Sequence, residues 1–223
     1  MNGFDPVIFD LDGTVADTVE LIRVSFRYTV QTVLGVEIPD DLLLAGVGQP
    51  LMAQMERLSA EKSQQLCDVY REYNHRVHDD LIRSYDGMQD ALQTLKEHGR
   101  RLAIVTTKGA KATAMTFDSL GLREYFDVVI TADDCEAHKP SPVPLQLCLE
   151  RLGASAETAI YVGDAPVDII AGRAAGMTTA AVMWGLFSRS DLLVSAPTFE
   201  VSTIDEMVTL CLRGEGARAG EKR

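Results

Sequence analysis

The chain has 223 residues, 46% hydrophobic and 24% charged, an ordinary balance for a globular protein and enough to build a buried core. Acidic residues outnumber basic ones 33 to 21, a formal net charge of −12, which argues against nucleic acid or an anionic membrane surface as partner, because both want clustered Lys and Arg. The cysteines Cys67, Cys135, Cys148 and Cys211 form no C-x-x-C pair, no apolar run approaches the ~18 residues of a membrane span, and the first residues carry no basic leader, so the expectation is a cytoplasmic protein with reduced thiols and no membrane contact.

In chain order, the first apolar run is Val7-Ile8-Phe9, which ends in Asp10-Leu11-Asp12-Gly13. The next stretch, residues 15–83, shows helical patterns and no convincing strand. Val19, Ile22, Phe26, Val30 and Val33 fall at spacings of 3 and 4, one face of an amphipathic helix that stops near Gly35. Further helices are expected at 40–45, 51–58 and 60–77. Beyond this stretch, apolar runs alternate with helical segments. The runs are Leu102-Ala103-Ile104-Val105, Val128-Val129-Ile130, Ala159-Ile160-Tyr161-Val162 and, more weakly, Thr179-Ala180-Ala181-Val182. The helices, at 88–98, 110–120, 142–152 and 166–175, are each followed by a glycine, and two of them open on proline. Short β-branched runs of this kind suit strands buried on both faces. The pattern predicts an α/β fold: a doubly wound, Rossmann-like parallel sheet formed by residues 1–14 and 84–213, with an all-helical insert at 15–83. The polar, Gly-rich segment 214–223 is expected to be a disordered tail.

In open α/β sheets, ligands bind beyond the carboxyl ends of the strands. Asp10, Asp12, Thr106, Lys139 and Asp164 all follow predicted strands, so residues distant in sequence are expected to share one small volume. Asp10 and Asp12 lie two apart on extended backbone and point the same way; two carboxylates so placed cannot both ionise cheaply, which suits a nucleophile beside a general acid/base. Asp164 adds a third acid and makes an oxygen-rich site suited to Mg²⁺. Lys139 offsets the carboxylate repulsion, and Thr106 and Thr107 lead through Lys108 into a helix N-terminus, a natural oxyanion site. Asp168 falls in the first turn of a helix, where a negative charge is favourable. His75 and Asp79, one helical turn apart, read as a solvated helix face.

Four segments together resemble the haloacid dehalogenase superfamily of aspartyl-phosphate-forming hydrolases: Phe9-Asp10-Leu11-Asp12-Gly13-Thr14-Val15-Ala16-Asp17-Thr18, Val105-Thr106-Thr107-Lys108, His138-Lys139-Pro140-Ser141-Pro142, and Gly163-Asp164-Ala165-Pro166-Val167-Asp168 with the following Ile169 to Gly176. The resemblance implies that the helical insert is a cap. It implies Asp10 as nucleophile, Asp12 as acid/base, and Thr106 and Lys139 as holders of the phosphoryl oxygens. It also implies Mg²⁺ ligation by Asp10, the Asp12 backbone carbonyl and Asp164, with Asp168 in support. An acid at position 12 suits an oxygen leaving group and hence a phosphatase. Ala165 departs from the Ser or Thr frequent in relatives.

Within the superfamily the chain looks most like the phosphoglycolate phosphatase branch. Tyr70-Arg71-Glu72-Tyr73-Asn74-His75 and His78-Asp79-Asp80-Leu81 resemble its pyrophosphatase members, and Gly46-Val47-Gly48-Gln49-Pro50 resembles its substrate-facing cap loop. The implied substrate is a small phosphorylated metabolite touching Thr107, Lys108, Gly48 and Gln49: phosphoglycolate or, alternatively, pyrophosphate. A sugar-phosphate mutase uses the same four motifs. A phosphoryl-accepting signalling domain fits less well, because its acidic pair is adjacent and it lacks the insert; a binding module on the same fold would lack turnover.

Overall fold

The computed structural model describes residues 3–220. The elements follow in the order β1 (Val7–Phe9), β2 (Ala16–Asp17), α1 (Val19–Leu34), α2 (Asp40–Leu43), α3 (Leu51–Leu58), α4 (Ser63–Leu81), β3 (Arg83–Ser84), α5 (Met88–Glu97), β4 (Leu102–Val105) and α6 (Ala110–Leu120). They continue with β5 (Val128–Ile130), α7 (Val143–Leu152), β6 (Ile160–Gly163), α8 (Pro166–Ala174), β7 (Thr178–Val182), α9 (Arg189–Val194), β8 (Phe199–Val201), α10 (Ile204–Arg213) and β9 (Ala217–Arg218).

The main sheet runs β5-β4-β1-β6-β7-β8-β9, with every pairing parallel except the last. Alternation along the strands divides their side chains between two cores. Val7, Phe9, Leu102, Ile104, Ile160 and Val162 join one face, where α5 and α10 contribute Leu92, Leu95, Met207 and Leu210. Ile8, Ala103, Val105 and Tyr161 join the other, with Leu145, Cys148 and Ala171 from α7 and α8. Complete burial of a side chain such as Phe9 stabilises by about 1.5–3 kcal/mol, and both faces are lined this way. From β1 the chain builds outward to β4 and β5, then returns to the other side for β6, so the strand order reverses at β1. That reversal opens a crevice at its carboxyl end.

Helices α1–α4 bury a core of their own, made by Phe26, Val30, Val33, Leu43, Leu44, Met55, Leu66 and Cys67. A two-stranded antiparallel ribbon joins this helical unit to the sheet, pairing Ala16 with Ser84 and Asp17 with Arg83.

Three differences from the sequence reading have identifiable causes. Helix α4 runs on to Leu81 because His78 in its last turn is buried against α6: it is 0% exposed and its Nε2 lies 3.2 Å from Thr116 Oγ1. Strand β8 is hidden in the sequence by Glu200, a charge inside a three-residue run whose carboxylate is paired with Arg189 at 2.6 Å. The tail expectation is corrected for 217–218. These residues pair with Phe199 and Glu200 as β9, and the Gly220 N–H donates to Glu200 Oε1 at 2.8 Å, so an otherwise open sheet edge captures this segment. Positions 221–223 lie outside the described residues.

Candidate active site

Strand β1 ends where its apolar run ends, and the Asp10 N–H still donates to the Val162 carbonyl of β6, which holds this side chain at the tip of the sheet. The chain then winds back on itself. The N–H groups of Thr14, Val15 and Ala16 all converge on the Leu11 carbonyl, placing Asp12 on a tight turn beside Asp10. Two aromatic side chains clamp this turn from outside: Trp184 Nε1 donates to the Thr14 carbonyl at 3.1 Å, and the Tyr85 hydroxyl donates to the Gly13 carbonyl at 3.2 Å. Neither residue belongs to a motif, and their sequence gives no signal beyond being aromatic.

Asp164 follows β6 and is buried, accepting from Thr14 Oγ1 at 3.0 Å and from the Leu186 N–H at 3.1 Å. Its carboxylate is packed so closely that a β-carbon on Gly13 or on Gly185 would collide with it, and Gly13 also has φ +80°. Glycine is therefore required there by close approach as well as by backbone conformation. Lys139 arrives in the loop after β5 and is 1% exposed. Its ammonium donates to Asp168 Oδ1 at 2.5 Å and to the Tyr161 hydroxyl at 3.0 Å, and lies 2.9 Å from Asp10 Oδ1 as an ion pair. Asp168 spends its other oxygen on the Ala165 N–H at 3.0 Å, capping α8. Thus Asp168 serves the site by holding Lys139, and Tyr161 is a member of this group that sequence reasoning missed. It passed as one more apolar residue of a buried strand.

Three buried carboxylates, Asp10, Asp164 and Asp168, face a single buried ammonium, and one ligand atom from each lies within 4.8 Å of the others. With all three ionised, the pocket holds an excess of two negative charges in a medium that screens poorly. Burial pushes the Asp10 carboxyl up; Lys139 opposes the rise and Asp168 adds to it. Burial likewise raises Asp164, to about 8, with Asp168 and Asp10 contributing and the Leu186 and Thr14 donors opposing. Burial alone would lower Lys139, but the charges of Asp10 and Asp168 outweigh it and hold the ammonium charged. Asp10 Oδ1 is sealed from solvent and accepts no aligned hydrogen bond. An excess of two charges and an all-oxygen donor set fit a hard divalent cation such as Mg²⁺.

The remaining expected residues line the approach to this pocket. Thr106, immediately after β4, accepts the Lys108 N–H at 3.1 Å, which leaves its hydroxyl proton for a ligand. Lys108 Nζ donates to Asp12 Oδ1 at 2.7 Å, so the expected acid/base is held by a cation from the neighbouring strand end. Thr107 is placed differently from its expected role: its hydroxyl donates to the Gly48 carbonyl at 3.1 Å and so joins the sheet domain to the helical unit. Gly48, with φ +92°, packs where a β-carbon would lie 2.8 Å from Val167 Cγ2 and 3.0 Å from Ala165 Cβ. The Gln49 carbonyl accepts from Gln54 Nε2 at 2.7 Å, which fixes the loop that carries both residues. Leu186 packs against the helical core, and burial together with the Asp12 charge raises the Tyr70 phenol of α4, so the helical unit reaches the strand ends. Asp79 is engaged by His78 Nδ1 at 2.7 Å and by Ser119 Oγ at 2.7 Å, while it remains largely solvent-exposed.

Comparison with known proteins agrees with this geometry. Residues 7–182 match the family model described as haloacid dehalogenase-like hydrolase. The curated pyrophosphatase PpaX of Bacillus cereus is 38% identical over 204 residues, covering 92% of this chain and 94% of that protein. Among solved structures, a haloacid dehalogenase-like hydrolase from Bacteroides fragilis superposes with a TM-score of 0.85 at 24% identity, covering 92% of this chain and 99% of its own. A protein from Haemophilus somnus described as a predicted phosphoglycolate phosphatase superposes at 0.82 with 20% identity, covering 93% and 97%, a likeness of fold.

Proposed function

Because the chain belongs to the haloacid dehalogenase-like hydrolases and is a phosphatase of that family, we propose that it hydrolyses inorganic pyrophosphate through an aspartyl-phosphate on Asp10. Asp10 attacks the phosphorus; Asp12 delivers a proton to the departing oxygen and then takes one from the water that cleaves the acyl phosphate. The Thr106 hydroxyl and the Lys139 ammonium hold the transferring oxygens, and closure of the cap excludes bulk water. Asp10, the Asp12 backbone carbonyl and Asp164 would hold Mg²⁺, which supplies the positive charge that lets one anion approach another. The charge excess among the buried carboxylates supports that cofactor.

The observation that carries the substrate is Lys108. It places a cation 2.7 Å from Asp12, the residue proposed to protonate the departing oxygen, and so suits a leaving group that is itself an anion. The PpaX relative supports pyrophosphate. Phosphoglycolate is the second reading, because its carboxylate would meet the same ammonium. Among the described residues no helix is long and apolar enough to cross a membrane, and the four cysteines are free, which supports a cytoplasmic setting. Steady-state kinetics at saturating Mg²⁺ test the assignment: pyrophosphate should show the higher kcat/KM, and a preference for phosphoglycolate would select the second reading. Asp10→Asn should abolish turnover of either substrate, and retained activity would remove Asp10 as nucleophile.

A further inference from the structure

The geometry points to Tyr161 as a positioning residue for phosphoryl transfer, one hydroxyl that sets both the Lys139 ammonium and the strand tip from which Thr106 projects. The inference rests on the roles proposed above for those two residues. Tyr161 is fully buried on β6. In the sheet order β4-β1-β6, its side chain runs beneath β1 and reaches the far neighbour, where the hydroxyl donates to the Val105 carbonyl at 2.9 Å. Val105 is the last residue of β4, and the next residue is Thr106. The same oxygen accepts from Lys139 Nζ at 3.0 Å, and its proton has a second, longer acceptor in Asp168 Oδ1 at 3.2 Å. A phenol has one proton and two lone pairs; with the proton on the Val105 carbonyl, a lone pair is available to the ammonium.

An ammonium has three N–H groups. Asp168 and Tyr161 take two of them, and the third is left toward Asp10 and the transferring phosphoryl group. Without the phenol, Asp168 is the stronger remaining hydrogen-bond partner, and the ammonium is free to settle toward it and away from Asp10. Burial and the charges of Asp168 and Asp10 push the phenol far above its ordinary range, so it stays a neutral donor and acceptor. A buried hydroxyl serving only to satisfy itself needs one partner; this one links two strand ends through the group between them.

Tyr161→Phe keeps the ring and removes these links. With pyrophosphate at saturating Mg²⁺, kcat should fall about 10- to 100-fold, the scale set by a misplacement of roughly 1 Å, while KM stays within about twofold and the melting temperature within a few degrees. A folded variant with wild-type kcat would overturn the inference, as would a lowered melting temperature with kcat unchanged, which marks a purely structural hydrogen bond. Should Phe prevent folding, 4-aminophenylalanine at 161 still donates to the Val105 carbonyl but accepts poorly from Lys139; kcat should again drop, and full activity would refute the link to Lys139. A readout independent of turnover is the ¹H–¹⁵N resonance of the Lys139 ammonium, assigned with Lys139→Met. It should shift and exchange faster in Tyr161→Phe, and an unchanged resonance would rule the contact out. Wild-type protein inactive on both substrates would remove the proposed function while this readout still decides the contact.

Discussion

The contact between Gly48 and the sheet domain can be tested by adding a single methyl group. At φ +92°, an L-residue costs about 1–2 kcal/mol relative to glycine, and the new β-carbon of Gly48→Ala would sit 2.8 Å from Val167 Cγ2 and 3.0 Å from Ala165 Cβ. Val167 can turn to relieve part of the overlap, whereas Ala165, 2% exposed at the start of α8, cannot. A penalty of about 2 kcal/mol results, close to 30-fold in an equilibrium constant. It falls on the closed arrangement, because a loop lifted off the core loses the overlap and is free to relax its backbone. Steady-state kinetics should therefore show kcat/KM lowered by roughly 10- to 30-fold, with a melting temperature near that of the wild type. Adding Val167→Ala removes the nearer of the two clashing carbons. The double variant should recover several-fold, a coupling that independent sites would not show. Wild-type kcat/KM in Gly48→Ala would mean that this loop does not seat on the sheet domain during turnover, and equal losses in the double and single variants would remove Val167 as the steric cause.

Two further outcomes follow from the charges. Mg²⁺ at 100 times its dissociation constant should stabilise the protein by about 2.7 kcal/mol, roughly 5–10 °C in melting temperature for a chain of this size; EDTA should reverse the shift, and Asp164→Asn should lose most of it, whereas an equal shift in that variant would place the ion elsewhere. Asp5 accepts the Arg101 backbone N–H at 2.9 Å and its guanidinium at 3.0 and 2.8 Å. Burial raises the Asp5 carboxyl, but the hydrogen bonds and charge of Arg101 outweigh it and hold the group below its ordinary value. A depressed carboxyl contributes stability that is present above the unfolded-state value near ~3.9 and lost as the pH falls through the lower folded one. Asp5→Asn should thus lower the melting temperature at pH 7, with the gap to wild type closing below about pH 4; a gap unchanged down to pH 3 would show that the ionised pair is not the cause.

The runs that became β1, β4, β5, β6 and β7, the helical insert and the polar residues that follow those strands were legible in the chain, because each is local: a burst of β-branched residues, a 3.6-residue period, a glycine after a helix. Helices α3 and α6 fall where the pattern places them, at Leu51–Leu58 and Ala110–Leu120. Asp10, Thr106 and Asp164 could be chosen because charged or hydroxyl residues directly after buried strands stand out against their neighbours, and Asp12 and Lys139 because they lie in the loops that follow. Which partner each group meets was not legible. Asp168 reads as a helix-terminal charge and also anchors Lys139; Thr107 reads as a phosphate ligand, and its hydroxyl also holds the Gly48 loop. Tyr161, Trp184 and Tyr85 carried no mark at all, and residues 217–218 read as unstructured until β8 offered them an edge. Position along a strand is written in neighbouring residues, but some of the hydrogen-bond partners that build the site are far away in the chain, 22 positions for Lys139 with Tyr161 and 170 for Thr14 with Trp184. Only the packed sheet and the helical unit seated against it bring such groups within the 3 Å over which a hydrogen bond acts.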